Sequence, residues 1–397
     1  MPAVRSGLDV LVAQAFAPLR GLKVGLVTHP AAVDAQLRHV IELLAGAPDV
    51  ALAAIFGPEH GLLGQAQDLI AVGSGEESKP AAAAVEVHSL YGATFESLRP
   101  APEQLAGLDA LVIDLQDIGS RYYTFQATML YCLQVALPLG LKVFVLDRPN
   151  PLGGAAVEGP ALRQGFESFV GAHDLAIRHG LTIGELALLF QRELGINRGE
   201  LHVIACEGWK RAQYFDDTGL PWVLPSPNMP TLDTALVYPG QCLLEGTNLS
   251  EGRGTTRPFE LCGAPWLDAS KLARRMNEER LPGVHFRAAW FRPTFQKHAG
   301  KDCGGVQVHV TDRAAFQPVR TGLALLATMR EMSGEHFAWR TEIYEFVKDP
   351  IAIDLLFGSA RERMHLEAGT PWREVMAEWS AEEEAFVVRR RTALLYD

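Results

Sequence analysis

Residues 110–117 read ALVIDLQD: four apolar residues, Ala110 to Ile113, run without interruption into Asp114, and a second acid, Asp117, closes the stretch. No polar residue alternates with them, so neither face of the segment is suited to water. That is the pattern of a strand covered on both sides in a parallel sheet. The segments KVGLVTH (23–29), VALAAIFG (50–57), VEVHSLYG (85–92) and KVFVLDRP (142–149) have the same character. Between them lie AQLRHVIELLAG (35–46), with apolar residues at helical spacing, and YYTFQATMLYCLQVALPLG (122–140), which closes on a glycine. Strands alternating with helices, joined by right-handed crossovers, predict an α/β fold with a doubly wound, Rossmann-like, mostly parallel sheet.

The pattern changes further along the chain. Residues 221–259 are rich in Pro, Gly, Asn and Thr, and the β-like segments VHFRAAWFRPTF (284–295) and GGVQVHVTD (304–312) follow, then several helices. The reading is two domains: a Rossmann-like catalytic domain over 1–230 and a smaller α+β domain over 231–397 that completes the cleft.

A chain of 397 residues that is 48% apolar buries a large core. With 36 Lys and Arg against 47 Asp and Glu, the net charge of -11 argues against nucleic acid as a partner. Five cysteines without a CxxC pair fit reduced core fillers better than a disulfide or zinc framework. No run reaches the roughly 18 apolar residues that a membrane helix requires, so membrane insertion is not expected. The first 21 residues lack a sustained apolar region before a cleavage site, so the chain as written reads as cytoplasmic. It would be periplasmic or secreted if an export signal belongs in front of it.

In an open parallel sheet, ligands bind in the crevice beyond the carboxyl ends of the strands. Here those ends carry Thr28 and His29, then Glu59 and His60, then Asp114, Gln116 and Asp117, then Asp147, Arg148 and Asn150. An Asp or Asn after a strand also serves as a turn former or helix cap, and a lone histidine as a hydrogen-bonded scaffold. Four successive ends with ionisable groups weaken that explanation for the set. Glu59 stands out, with Gly57 and Pro58 shaping the backbone before it and Gly61 and Gly64 freeing it after. Next along the chain, Arg121, Tyr122 and Tyr123 open the helix that follows Asp117, where a polar-tipped ring suits a sugar face. The segment EGTNLSEGRGTT (245–256) packs Glu245, Asn248, Glu251 and Arg253 between glycines, with Arg257 directly after it. Its glycine content predicts a loop that closes over a bound ligand.

Several long blocks, in order, resemble the NamZ-type exo-β-N-acetylmuramidases, bacterial glycosidases of peptidoglycan recycling. They are FGPEHGLLG (56–64), VIDLQDIGSRYYTF (112–125), VLDRPNPLGG (145–154), RHGLTIGELALLF (178–190), LPWVLPSPNMPTLDTALVYPG (220–240) and EGTNLSEGRGTTRPFELCGAPW (245–266). The resemblance implies release of β-linked N-acetylmuramic acid (MurNAc) from the non-reducing end of fragments such as MurNAc-GlcNAc, without a cofactor. It places the family's GPEH glutamate on Glu59 and its tyrosine-bearing block on Arg121 to Thr124.

Cleaving a β-glycoside requires an acid at the leaving oxygen and a second group at the anomeric carbon. Glu59 is the candidate acid. Asp114, Asp117, Glu245 and Glu251 compete for the second role, Tyr123 is a further catalytic candidate, and the substrate's own acetamide oxygen is an alternative nucleophile. The lactyl carboxylate of muramic acid calls for a guanidinium, from Arg121, Arg253 or Arg257. His29, His60, Tyr122, Arg148, Asn150 and Asn248 complete the expected binding set. Two rival readings are a hydrolase assisted by a divalent ion on His29, His60, Asp114 and Asp147, and a two-lobed sugar-binding protein without turnover.

Overall fold

Six strands, β1 (Lys23–Thr28), β2 (Ala51–Gly57), β3 (Glu86–Ser89), β4 (Ala110–Asp114), β5 (Lys142–Leu146) and β6 (Glu200–Ile204), form one parallel sheet in the order β3-β2-β1-β4-β5-β6. The structure is a computed structural model that describes residues 4–67, 70–71, 85–196 and 198–397. All five residues of β4 are buried, as its unbroken apolar run requires. Alternate side chains of the central strands feed two separate cores. Val27, Ile113 and Val145 enter one, while Leu26, Val112 and Leu146 enter the other, so both faces of the sheet are covered. The edge strand β6, with the mixed and half-buried sequence ELHVI, is passed over by a search for apolar runs.

Helices α1 (Gly7–Ala13), α2 (Val40–Ala45), α3 (Phe125–Ala136) and α4 (Ile183–Leu194) accompany this sheet. Capping boxes start α1 at Ser6 with Asp9 and α4 at Thr182 with Glu185, and Gly195 at φ 62° ends α4. The helix expected from residue 35 begins only at Val40. Asp34 Oδ1 accepts the backbone N–H groups of Gln36 and Arg38 at 2.9 Å each, a local alternative to helical bonding.

The rest of the chain comprises α5 (Leu232–Gln241), β7 (Leu261–Ala264), α6 (Ala269–Glu278), β8 (Val284–Phe291), β9 (Cys303–Val310), α7 (Pro318–Ser333) and the short helices α8 (Ala352–Phe357), α9 (Arg361–Glu367), α10 (Trp372–Ala377) and α11 (Ser380–Arg390). Its three strands pair antiparallel in the order β7-β9-β8. Helices α5 and α7 touch backbone to backbone. A Cβ on Gly240 would stand 2.0 Å from the Pro318 carbonyl oxygen, and one on Gly322 2.2 Å from that of Gly240. Only glycines permit this approach, which fixes the end of α5 just before Glu245.

The C-terminal segment returns to the first sheet. Arg390 donates to the carbonyls of Gly154, Ala155, His179 and Gly180 at 2.9 to 3.1 Å. The Tyr396 hydroxyl donates to Asp147, beyond β5, and accepts from the Cys206 N–H at 2.8 Å. All five cysteines are buried and unpaired. Among the described residues, no helix is long and apolar enough to cross a membrane.

Candidate active site

A pocket lies beyond the carboxyl end of β2, the place where an open parallel sheet receives its ligands. Side chains from both sides of residue 230 line it. Glu59 emerges from a tight turn in which the Gly61 N–H donates to the Pro58 carbonyl at 3.0 Å and His60 and Gly61 hold φ 70° and 78°. Gly57 is required there, because a Cβ would meet the Leu62 nitrogen at 2.9 Å. Thr124, the residue before α3, donates its hydroxyl to Glu59 Oε2 at 2.6 Å. The Glu59 carboxyl is thereby held in place although only 5% of the residue is exposed.

Across the cavity, Arg253 binds Glu245 Oε1 through Nη2 at 2.7 Å and Nε at 3.3 Å, and its guanidinium lies 5.0 Å from the centre of the Phe259 ring. Tyr344 donates to the other Glu245 oxygen at 2.7 Å. Burial alone would raise the Glu245 carboxyl, but Arg253, the Tyr344 hydroxyl and Lys297 outweigh it and hold it below the ordinary glutamate value. Glu245 is therefore ionised at neutral pH.

Four tyrosines line the same space, and burial pushes the hydroxyls of Tyr122, Tyr123, Tyr238 and Tyr344 above the phenol range. All four stay protonated. The Tyr123 hydroxyl lies near Ser226, yet it makes no hydrogen bond of ordinary geometry although fully enclosed. A buried hydroxyl without such a bond marks where a polar ligand atom belongs.

The remaining wall is the segment around Ser226, Asn228 and Met229. His29, at the end of β1, carries it. One ring nitrogen accepts the Gln116 N–H at 2.9 Å, and the other contacts the Pro225 carbonyl at 3.3 Å. Burial and the nearby Arg148 lower its pKa well below the usual value, so the ring remains neutral. On the cavity side, Asn228 donates to Gln67 at 2.8 Å.

The comparisons with known proteins bear on this geometry. Residues 24–233 match the N-terminal part of the exo-β-N-acetylmuramidase NamZ family, and residues 236–396 its C-terminal part. The chain belongs to this family. It is 44% identical over 395 residues to the peptidoglycan β-N-acetylmuramidase NamZ of Bacillus subtilis strain 168, covering 100% of this chain and 92% of that protein. Two crystal structures of DUF1343 family proteins from Bacteroides fragilis NCTC 9343 share the fold. One has a TM-score of 0.89 at 33% identity over the whole of both chains, the other 0.76 at 26% over 99% of each. The expected class, a glycosidase with a Rossmann-like, mostly parallel sheet and a smaller α+β domain, agrees with the NamZ relative, the DUF1343 fold and the two sheets.

Of the residues anticipated from sequence, the cavity gathers Glu59, His60, Tyr122, Tyr123, Glu245 and Arg253. The others lie outside its lining. Asp114 is committed to Arg148 through bonds of 2.5 and 2.8 Å, an ion pair buried between β4 and β5. Asp117 accepts the Gly119 N–H at 2.6 Å and sits 3.4 Å from His179. Asn150 bridges the Leu181 carbonyl and the Leu152 N–H. Arg121, with no exposed surface, spends its guanidinium on the carbonyls of Pro160, Leu175 and Leu356. Arg257 faces outward and pairs with Glu260, while Asn248 bridges the backbone of His336 and Ala338.

Glu251 is paired with Lys297 at 2.8 Å, and the same ammonium group binds the carbonyls of Leu244 and Leu249. With residues 249–254 buried, the expected closing loop is a clamped wall instead. Its glycines serve close packing: a Cβ on Gly252 would stand 2.3 Å from the Leu261 carbonyl oxygen. Among the described residues, no three His, Cys, Asp or Glu side chains converge as a ligand set. Asp147, a member of the metal alternative, is taken up by Thr182, Gly184 and Tyr396.

Proposed function

We propose that this protein hydrolyses the β-glycosidic bond of a terminal N-acetylmuramic acid in peptidoglycan fragments such as MurNAc-GlcNAc. The observation that carries this reading is one pocket holding Glu59, fixed by Thr124, together with the Arg253–Glu245 pair and four protonated tyrosines. Glu59 protonates the glycosidic oxygen as the bond to the anomeric carbon breaks. Arg253 receives the lactyl carboxylate, with Phe259 beneath the guanidinium and Glu245 orienting it. The Tyr123 hydroxyl gains a partner when sugar enters, while those of Tyr122 and Tyr344 stay on the Pro239 carbonyl and Glu245. Asp114, Asp117, Glu251, Arg121 and Arg257 hold structure around the site.

A chromogenic β-MurNAc glycoside assayed beside its β-GlcNAc counterpart, with and without chelator, tests the reading. The expected result is turnover of the muramyl glycoside alone and indifference to chelator. Binding without turnover would favour a sugar-binding protein. Loss of activity on chelation would favour the metal-assisted alternative.

A further inference from the structure

Among the described residues three glutamates line the cavity, and Glu59 is held by Thr124 and Glu245 by Arg253 and Tyr344. The third is Glu345, which is 5% exposed and accepts a hydrogen bond from the Tyr91 hydroxyl at 3.0 Å. Tyr91 lies just past the end of β3, and β3 pairs in parallel with β2, which ends just before Glu59. Tyr91 and Glu59 thus follow adjoining strands, and Glu345, 286 positions after Glu59 in the chain, lines the same cavity.

The backbone that carries Glu345 is unusual. Tyr344 and Val347 exchange both backbone hydrogen bonds at 2.9 Å around a two-residue turn whose central residues, Glu345 and Phe346, hold φ 46° and 68°. Two successive left-handed positions favour glycine or asparagine. Glutamate and phenylalanine occupy them instead, which works against local preference and points to a task for the side chains. Phe346 packs on Tyr91, with ring centres 5.6 Å apart. Glu345 faces the cavity, where the buried Tyr123 hydroxyl independently marks a place for a polar ligand atom.

We propose that Glu345 is the second catalytic carboxyl, the base that takes a proton from the attacking water. Glu245 is unsuited to that work, since the Arg253 guanidinium already balances its charge. The inference rests on the reading of the site as a β-N-acetylmuramidase. In the step, the water oxygen forms a bond to the anomeric carbon and the bond to the glycosidic oxygen breaks. The departing oxygen keeps the electron pair and takes the proton of Glu59, while a proton of the water passes to Glu345. No electrons change hands, and exchange with solvent resets both carboxyls. Displacement by water inverts the centre, so MurNAc is first released as the α-anomer. Tyr91 is a positioning residue that holds Glu345 toward the water.

The test uses the full chain with MurNAc-GlcNAc and a nitrophenyl β-MurNAc glycoside. Glu345→Gln is expected to lower kcat about 10²- to 10⁴-fold on both substrates, because water attack is needed whatever the leaving group. Binding of MurNAc by calorimetry should persist. Glu345→Gly suits the left-handed backbone, so it should unfold within a few degrees of the wild-type Tm while losing turnover to the same extent. Tyr91→Phe should lower kcat with KM nearly unchanged. Proton NMR of the wild-type reaction should show α-MurNAc first. If the wild type is active and either folded Glu345 variant stays within a few-fold of it, or if β-MurNAc appears first, this inference is wrong and the muramidase reading stands. If the wild type leaves β-MurNAc glycosides intact, both fall together.

Discussion

Thr124 donates its hydroxyl to Glu59 at 2.6 Å, tying the start of α3 to the turn after β2 and fixing the carboxyl beside the cavity. A general acid matters most when the leaving group is a poor one. Glu59→Gln is therefore expected to lose about 10²- to 10⁴-fold on MurNAc-GlcNAc and far less on a nitrophenyl MurNAc glycoside. Steady-state rates on the two substrates check this, and equal losses on both would remove Glu59 from the acid role.

Arg253 is the guanidinium among the described lining residues, and the lactyl group is the anion that distinguishes MurNAc from GlcNAc. Removing one charge-assisted hydrogen bond costs about 1.5 to 3 kcal/mol. Arg253→Ala should accordingly narrow the preference for muramyl over glucosaminyl glycosides by roughly 10- to 150-fold in kcat/KM. An unchanged preference would place lactyl recognition elsewhere.

Arg121 provides the contrasting case. Burial pulls its guanidinium down to about 10, still charged at neutral pH, and three backbone carbonyls depend on it. Each carbonyl left without a partner costs about 1 to 3 kcal/mol. Arg121→Met should therefore lower the unfolding midpoint markedly and leave the MurNAc preference intact. Denaturant titration alongside the two glycosides measures both effects.

Glu245 links the site to pH. Its carboxyl lies below the ordinary value in the folded protein, so its contribution to stability is complete above the unfolded value of about 4.3. The contribution is lost as pH falls through the lower, folded value. Stability curves of the wild type and Glu245→Gln should run closest at the acid end and separate as pH rises toward neutrality. A constant gap across that window would contradict the assignment.

The parallel sheet was legible because β1, β2, β4 and β5 are apolar runs that two covered faces demand, whereas the mixed residues of β6 concealed it. The strand-end rule led to Glu59 because its turn is local and rich in glycine. The same rule overreached at Asp114 and Asn150, since sequence does not reveal that one meets Arg148 and the other the Leu181 carbonyl. Glu345 escaped notice altogether. It reaches the cavity through contacts with Tyr91, 254 residues away, and its left-handed turn lacks the glycine that would have announced it.

The return of the C-terminal segment bears on how the first sheet is held. The chain leaves the first sheet after β6 and comes back through Arg390 and Tyr396, so the two lobes are fastened by a connecting segment and by a strap. Swinging the lobes apart would require breaking the buried bonds of that strap. The sheet that carries Glu59 is thus braced from the last residues of the chain as well as by its own crossovers.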